Sequence, residues 1–520
     1  MFKYYKPSAN QFCLIIILVF LTSVVALNSC NTSSTPPTVQ QQMAQGRELA
    51  KKYCINCHLF PEPALIDKTS WLKGVLPAMA IQLGVHNYMG QYYCDNTSAL
   101  NTPDWQKIVT YYKNSAPDSL IIPKPAVAPL NDWSVFSLLK PKRISASIPA
   151  MTTMVAYNPN DHQIYTGDVA NNLYKWDWEL KSKLIHHFDS PVTGLNILNN
   201  ESNSGIVTCI GTIAPLNLMK GKILSLGLNA KGSKAKPVMI TDSLPRPVQT
   251  VSADFNKDGL MDYVVCGFGH DKGALYLVQQ QPDHSYKKKV ISSIAGGEQL
   301  ITGDYNNDGW PDVICLFAQA DEGIYMFLND KKGGFIKKDL LHFPSVYGSS
   351  SFQLVDFNHD GKPDILYTCG DNSDYSKVLK PYHGVYIFTN QGNWKFKQSY
   401  FYHINGCTKA IAADFEHDGN LSIAAIAFFA DFKYHPLEGF TFLEQTKPNQ
   451  FTAHQLPINT YGRWLTMDVA DIDHDGYDDI ILGNFSVNGR GLLNQTGYTP
   501  KWNKYVPIVI LKNNSGNKER

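Results

Sequence analysis

The sequence predicts a multidomain chain in which a small all-α domain precedes an all-β propeller, with seven blades as the best fit. Three observations carry that expectation. The chain has 520 residues, too many for one hydrophobic core. A nine-residue loop of the form D-x-[DN]-x-D-G-x-x-D recurs with starts at 254, 304, 356, 414 and 471, a repeat of about 50 to 58 residues that suits one four-stranded blade. The 12% aromatic content, 37 Gly and 29 Pro favour short strands and turns over a helical bundle. The net charge of +1 and the lack of a long basic stretch speak against a nucleic-acid partner.

The chain opens as a targeting segment. Lys3 and Lys6 precede a nearly unbroken apolar run from Phe12 to Leu27, which is short for a membrane span and ends at small and polar residues. Residues 1–29 therefore read as a secretory signal. The run closes on Leu27-Asn28-Ser29-Cys30, which resembles the lipobox of bacterial lipoproteins, departing from it at Asn28. The resemblance implies lipidation of Cys30 and an exported chain held on a membrane, facing the periplasm or the cell surface. The alternative, an uncleaved N-terminal anchor, exports the rest of the chain equally. Residues 30–42, rich in Ser, Thr, Pro and Gln, read as a flexible tether.

Ten cysteines follow a mixed pattern. Cys13 lies in the signal. Cys94, Cys209, Cys266, Cys315, Cys369 and Cys407 are read as free thiols acting as small hydrophobes in preference to disulfides. Cys54-Ile55-Asn56-Cys57-His58 is a C-x-x-C-H sequence, the attachment motif of a c-type haem. Two thiols three positions apart on one turn can reach the two vinyl groups of a porphyrin, and the adjacent His58 then stands beneath the iron. A zinc site would want a second ligand pair, and a thioredoxin-like motif a βαβ context; neither is present. A helix over 43–53 leads into the motif. Thr102 and Pro103 start a second helix, with Trp105, Ile108, Val109 and Tyr112 on one face, and Pro117 ends it.

Two helices flanking such a motif resemble a class I cytochrome c, over residues 43–117. The resemblance implies Met79, in Leu76-Pro77-Ala78-Met79, as the sixth iron ligand. Met89 is the runner-up, and Met43 precedes the motif. It also likens Pro61 to the proline that orients the ligand histidine. A His/Met pair leaves no open iron position and favours electron transfer over oxygen chemistry.

Residues 118–130 read as a linker and 131–515 as the propeller. Its loops supply oxygen from positions 1, 3, 5 and 9 and a backbone carbonyl from position 7, a set suited to calcium. The copies are Asp254, Asn256, Asp258, Leu260 and Asp262; Asp304, Asn306, Asp308, Trp310 and Asp312; Asp356, Asn358, Asp360, Lys362 and Asp364; and Asp471, Asp473, Asp475, Tyr477 and Asp479. A worn copy has Asp414, Glu416, Asp418 and Asn420, with Ser422 at position 9. Four to five ions are expected. Strand-like runs follow each loop, so no EF-hand helix pair is expected. The loops resemble the FG-GAP (VCBS-type) repeats of integrin α-subunit propellers. Residues 155–178 and 192–226 read as two further blades without metal loops, and the two chain ends are expected to pair and close the ring.

Away from the metal loops, several polar residues fall in the turns of the opposite face. They are His270, Asp271 and Lys272; His383, at the end of a long insertion over 370–383; Tyr402, His403, Asn405 and Lys409; Asp431; and Arg463 with Trp464. As a set they are expected to ring one mouth of the channel and meet a partner. Three functional readings follow. In the first, a haem-bearing lipoprotein transfers electrons while the propeller binds a partner. In the second, a redox enzyme holds a substrate on the propeller and the haem accepts its electrons. Quinoprotein dehydrogenases combine a propeller and a cytochrome in this way, but their tryptophan-docking repeats are absent here, as is a nucleotide or flavin fingerprint. In the third, the chain is a surface adhesion or glycan-binding module. Enzymatic activity is left open.

Overall fold

The repeat folds into seven antiparallel four-stranded sheets arranged as a β-propeller. The computed structural model describes residues 36–142, 148–198, 203–228, 236–486 and 498–517. The expected signal segment and the lipidation site at Cys30 lie outside these residues. No helix among the described residues is long and apolar enough to cross a membrane.

Blade one comprises Thr152–Asn158, Gln163–Asp168, Asn172–Trp176 and Ser182–His187; blade two Val192–Ile197, Ser204–Cys209, Gly221–Gly227 and Val238–Leu244. Blade three comprises Pro247–Ala253, Asp262–Gly267, Ala274–Gln280 and Tyr286–Ser292; blade four Gly297–Gly303, Asp312–Phe317, Gly323–Asn329 and Phe335–His342. Blade five comprises Ser349–Val355, Asp364–Cys369, Gly384–Asn390 and Phe396–His403; blade six Cys407–Ala413, Ser422–Ala427, Phe440–Lys447 and Gln450–Gln455. Blade seven takes Trp464–Ala470, Asp479–Asn484 and Ile508–Asn513 from the end of the chain, and its fourth strand, Phe136–Leu139, from the start of the propeller segment.

Burial explains the sequence of each strand. The second strands of blades three to seven are buried along their whole length, because neighbouring blades cover both faces, and so they read as continuous apolar runs. The outer strands are edges. Tyr286–Ser292 and Phe335–His342 carry lysines that discourage further strand pairing. The inner strands bond to one another through side chains. Gln249 accepts from Leu300 N at 2.7 Å, Gln299 brackets Phe352 at 2.8 and 3.0 Å, and Gln353 brackets Ala412 at 2.8 and 3.1 Å. All eight described cysteines are free. The Cys266 and Cys315 sulfurs, on adjacent blades, are 3.7 Å apart in the buried interior.

The N-terminal region is helical. Helix α1, Val39–Tyr53, starts inside the stretch expected to be a tether. Thr38 and Gln41 form a reciprocal capping box there, which stabilises a helix start in polar sequence. Helix α2 is Leu76–Gln82, a two-stranded hairpin of Val85–Tyr88 and Gln91–Cys94 follows, and helix α3 is Thr102–Ser115. Asn101, rather than Thr102, caps α3, and Thr102 instead accepts from Cys94 N. Helices α1 and α3 touch at Gly46, where an added Cβ would strike the Lys107 carbonyl. Trp71, Trp105, Ile108, Tyr111 and Tyr112 fill the core.

The expected linker also takes part in the sheet. Leu130 bonds both ways to blade six, through Ala453 O and Gln455 N. Two residues on, Asp132 meets the buried His454, whose other ring nitrogen reaches Glu444; the distances are 2.7 and 3.0 Å. Glu444, then Asp132, raise the His454 pKa above its ordinary 6.5 against the cost of burial. The linkage has a definite sign. The stabilisation is complete below the unfolded histidine value and is lost as pH rises through the higher folded value. His454→Gln is therefore expected to cost roughly 1–3 kcal/mol near pH 5.5 and distinctly less near pH 8.5. Urea unfolding of both proteins at the two pH values checks this; an unchanged gap would contradict it.

Candidate functional site

The five acidic loops share one backbone. Each joins the first strand of a blade to the second. The fourth residue is left-handed in all of them (Lys257, Asn307, His359, His417 and His474), as is the glycine at position six. The first-position carboxylate accepts the N–H groups of residues five and six: Asp254 takes Asp258 N at 3.1 Å and Gly259 N at 2.9 Å. Asp304, Asp356, Asp414 and Asp471 do the same. This curl turns positions 1, 3 and 5 toward one point. In the last loop, oxygens of Asp471, Asp473 and Asp475 lie within 4.8 Å of one another, an arrangement that can hold a metal ion. Lysines lean on several of these carboxylates. Lys512 bonds Asp473 and stands 3.4 Å from Asp475, Lys331 is 3.1 Å from Asp308, and Lys362 is 2.9 Å from Asp360. A divalent ion would compete with these ammonium groups for the same oxygens.

The ninth-position carboxylate, expected among the ligands, is engaged in the fold. Asp312 accepts Asn329 N at 2.8 Å and Tyr305 N at 3.0 Å; Asp364 accepts Asn390 N at 2.8 Å and Phe357 N at 3.1 Å; Asp479 accepts Asn513 N at 2.8 Å and Ile472 N at 3.3 Å. Asp262 accepts Gln280 N at 3.0 Å. Each therefore ties its loop to the end of the third strand. Burial pushes Asp262 up to about 6 and Asp479 up to about 7 despite these donors. In the worn loop Ser422 takes over, accepting Gln445 N at 3.0 Å and donating to Glu416 at 3.0 Å. The longer Glu416 side chain thus reaches back to the shorter Ser422. Sequence reasoning missed the asparagines at the third-strand ends. Asn329 and Asn513 also donate to the preceding blade, at Phe255 O and Phe415 O, both 2.8 Å.

In the helical domain, Cys54 and Cys57 are both free, and Cys57 is exposed. Burial, and then the neighbouring Cys57, push the Cys54 thiol up to about 11. His58 Nδ1 is 2.7 Å from Leu59 O. A carbonyl only accepts, so Nδ1 carries the proton and Nε2 is left as a lone-pair donor. Tyr112 OH donates to Pro61 O at 2.9 Å. Met79 is half-buried against the domain core, whereas Met89 is 87% exposed with φ +49° at the hairpin turn. The buried Trp105 indole N–H has no acceptor among the described residues.

This domain docks on blades four and five, at the end away from the acidic loops. Tyr382 OH donates to Leu65 O at 3.0 Å and its ring stacks on Tyr347 at 4.4 Å; Val346 packs against the helical core. The backbone at Gly74 presses on the Tyr375 carbonyl. The covering insertion, 370–383, holds the buried polar residues Asn372, Ser376, Lys380 and His383. Asn372 Oδ1, Ser376 Oγ and His383 Nε2 have no partner among the described residues. Burial and then Asp371 push Asp374 up to about 6 and Glu298 up to about 7. Lys380 is lowered by burial against the pull of Asp371, Glu322 and Asp374, and His383 is lowered by burial and then by Lys380.

The expected mouth residues do not form one ring. His270 and Asp271 lie beside this cluster, where His270 acts on Asp374 and Asn217 binds Asp271; His403 reaches Lys380 O at 3.3 Å. Asp431 and Asn405 are buried together around Glu438. Arg463 is 1% exposed, donates to Phe428 O and lies over the Phe428 ring, so it packs rather than faces a partner. Lys409 faces Asp468 on the next inner strand, and burial lowers the one and raises the other.

Comparison with known proteins agrees with the repeat. Residues 254–315 and 304–367 match the FG-GAP-like repeat family. Integrin alpha-3 of Cricetulus griseus is 30% identical over 109 residues, covering 18% of this chain and 10% of its own. Integrin alpha-7 of Homo sapiens is 30% identical over 131 residues, covering 22% of this chain and 11% of its own. The chain thus spans about a tenth of the length of the curated relatives it matches. A solved streptogramin B lyase structure aligns with a TM-score of 0.45 at 13% identity, covering 74% of this chain and all of that one.

Two outcomes test this geometry. Calcium added to chelator-treated protein is expected to raise the unfolding midpoint, adding about 2.7 kcal/mol of unfolding free energy per site at a hundredfold excess over Kd. Asp471→Ala should remove one site's share; an indifferent midpoint would exclude a metal role. Gly74→Ala is expected to cost about 1–3 kcal/mol by overpacking and to loosen the docked domain. Faster protease cleavage between the domains, with both still folded, is the readout.

Proposed function

We propose that this chain is a haem c-carrying electron-transfer lipoprotein, held outside the cytoplasmic membrane through Cys30, whose calcium-pinned propeller binds a partner. The observation that carries the reading is the pair of free thiols Cys54 and Cys57 beside His58, whose Nδ1–H is spent on Leu59 O. A hydrogen bond from the far ring nitrogen to a carbonyl fixes the ring and raises its basicity as an iron ligand. The unpartnered Trp105 N–H and the exposed Ile55 and Leu59 flanking the motif also fit a bound group that accepts a hydrogen bond and covers apolar surface. When bound, the haem supplies one-electron chemistry. Cys54 and Cys57 would anchor it, and His58, through Nε2, and Met79 would hold its iron. The dock on blades four and five would hold that domain at a fixed place above the propeller.

A second reading, a redox enzyme, is favoured by one observation. Buried acceptors without partners sit under the docked domain beside carboxylates with raised pKa values, a combination typical of substrate sites. Expression with c-haem maturation machinery tests the first reading. Covalent haem is expected in the wild type and lost in a Cys54→Ala/Cys57→Ala variant. Met79→Ala should keep the haem and change its oxidised spectrum. A wild type without covalent haem would refute the proposal.

A further inference from the structure

We propose that the cleft between blades one and seven is a binding site for a neutral saccharide. The cleft has a volume of about 690 Å³, within the ~300–1,000 Å³ usual for small-ligand sites. It opens between the start of Thr152–Asn158, the turn before Asn172–Trp176, and Tyr505 and Pro507, which lead into the third strand of blade seven. The helical domain docks on blades four and five, across the ring from this cleft.

The walls combine rings with hydrogen-bonding groups. Tyr174, Trp176 and Tyr505 contribute aromatic faces, and Thr166, Asp168 and Asn172 contribute oxygen and nitrogen. The polar groups are held in place from behind. Trp176 Nε1 donates to Thr166 at 2.8 Å. Asp168 accepts Asn172 N at 2.9 Å and Asn172 Nδ2 at 3.1 Å, and His187 Nδ1 is 2.9 Å from Asn172 Oδ1. Each Asp168 oxygen keeps a further lone pair for a ligand hydroxyl. The Tyr174 phenol lies close to Asp168, and burial and then that carboxylate raise its pKa.

This combination selects a ligand class. An ion would meet both signs, since Glu179 and Lys181 pair at the rim beside Asp168. A lipid tail would leave the remaining lone pairs of Asp168 and the second amide hydrogen of Asn172 without partners, at a desolvation cost. A pyranose ring offers an apolar C–H face for the aromatic rings and hydroxyls for Asp168 and Tyr174. The inference is independent of the haem: it concerns other blades and does not use the thiol motif.

The test uses the full chain and an array of neutral gluco-, galacto-, manno- and xylo-oligosaccharides, free in solution and displayed on a carrier protein. Binding of at least one free sugar is expected, followed by calorimetry and by Trp fluorescence. Tyr174→Phe, which keeps the ring, should weaken it about three- to tenfold, and Asp168→Ala about tenfold or more. If Asp168→Ala fails to fold, Tyr174→Phe decides. The haem spectrum should be unmoved by either change. An array without a binder, binding only to the carrier-displayed forms, or affinity indifferent to Tyr174→Phe would overturn the proposal.

Discussion

A buried carboxylate that accepts backbone N–H groups is the point to which much of the propeller is fastened. Asp312, Asp364 and Asp479 each hold two such donors, one from the adjacent loop and one from the end of the third strand. Hydrogen bonds to a charged acceptor are worth roughly 1.5–3 kcal/mol each, and a buried one left unmade costs as much. The same residue thus fixes the curl of the acidic loop, the start of the second strand and the position of the outer hairpin. Its raised pKa at Asp262 and Asp479 records what burial costs. Blade six keeps the connection with a hydroxyl, so the geometry outlasts the charge.

The loops were legible because their logic is local. Alternating acids, a left-handed fourth residue and a glycine at the sixth occupy nine consecutive positions. The spacing between loops then gave the blades and the closure of the ring. The partners of the ninth residue were not legible, because they lie 17, 26 and 34 positions further on in successive cases. No fixed spacing marks Asn329, Asn390 and Asn513. The helix start at Thr38 could have been read from the T-x-x-Q pattern, but the polar composition around it read as a tether. The polar residues of the opposite face were found, but their grouping was not. Arg463 is packed on Phe428 and His383 is buried beside Lys380 and His403, and burial of this kind depends on contacts that no local pattern contains.

The insertion over 370–383 changes the character of one face. In blade four the corresponding turn, between Asp312–Phe317 and Gly323–Asn329, is short; in blade five it is long enough to carry Tyr375 and Tyr382 up to the helical domain. The ring is thereby divided. Blades four and five are committed to holding the neighbouring domain, while a cleft lies between blades one and seven. Acidic loops occupy the other end of the ring. One scaffold therefore presents three chemically separate regions, each assembled from turns and each supported by the same sheets.

The last blade borrows its outer strand from the front of the propeller segment. The bond between Asn514 and Val135 joins residues 379 positions apart. During synthesis, Phe136–Leu139 is made long before its partner, Ile508–Asn513, which is the last strand of the propeller among the described residues. Until Ile508–Asn513 emerges, the nascent chain must carry six sheets with an open strand edge at each end, the condition in which β-proteins associate wrongly. Closure also waits on a large loop entropy. A chain cut short anywhere before Ile508–Asn513 is therefore an open arc with adhesive ends, and quality control meets that arc, not a nearly finished ring.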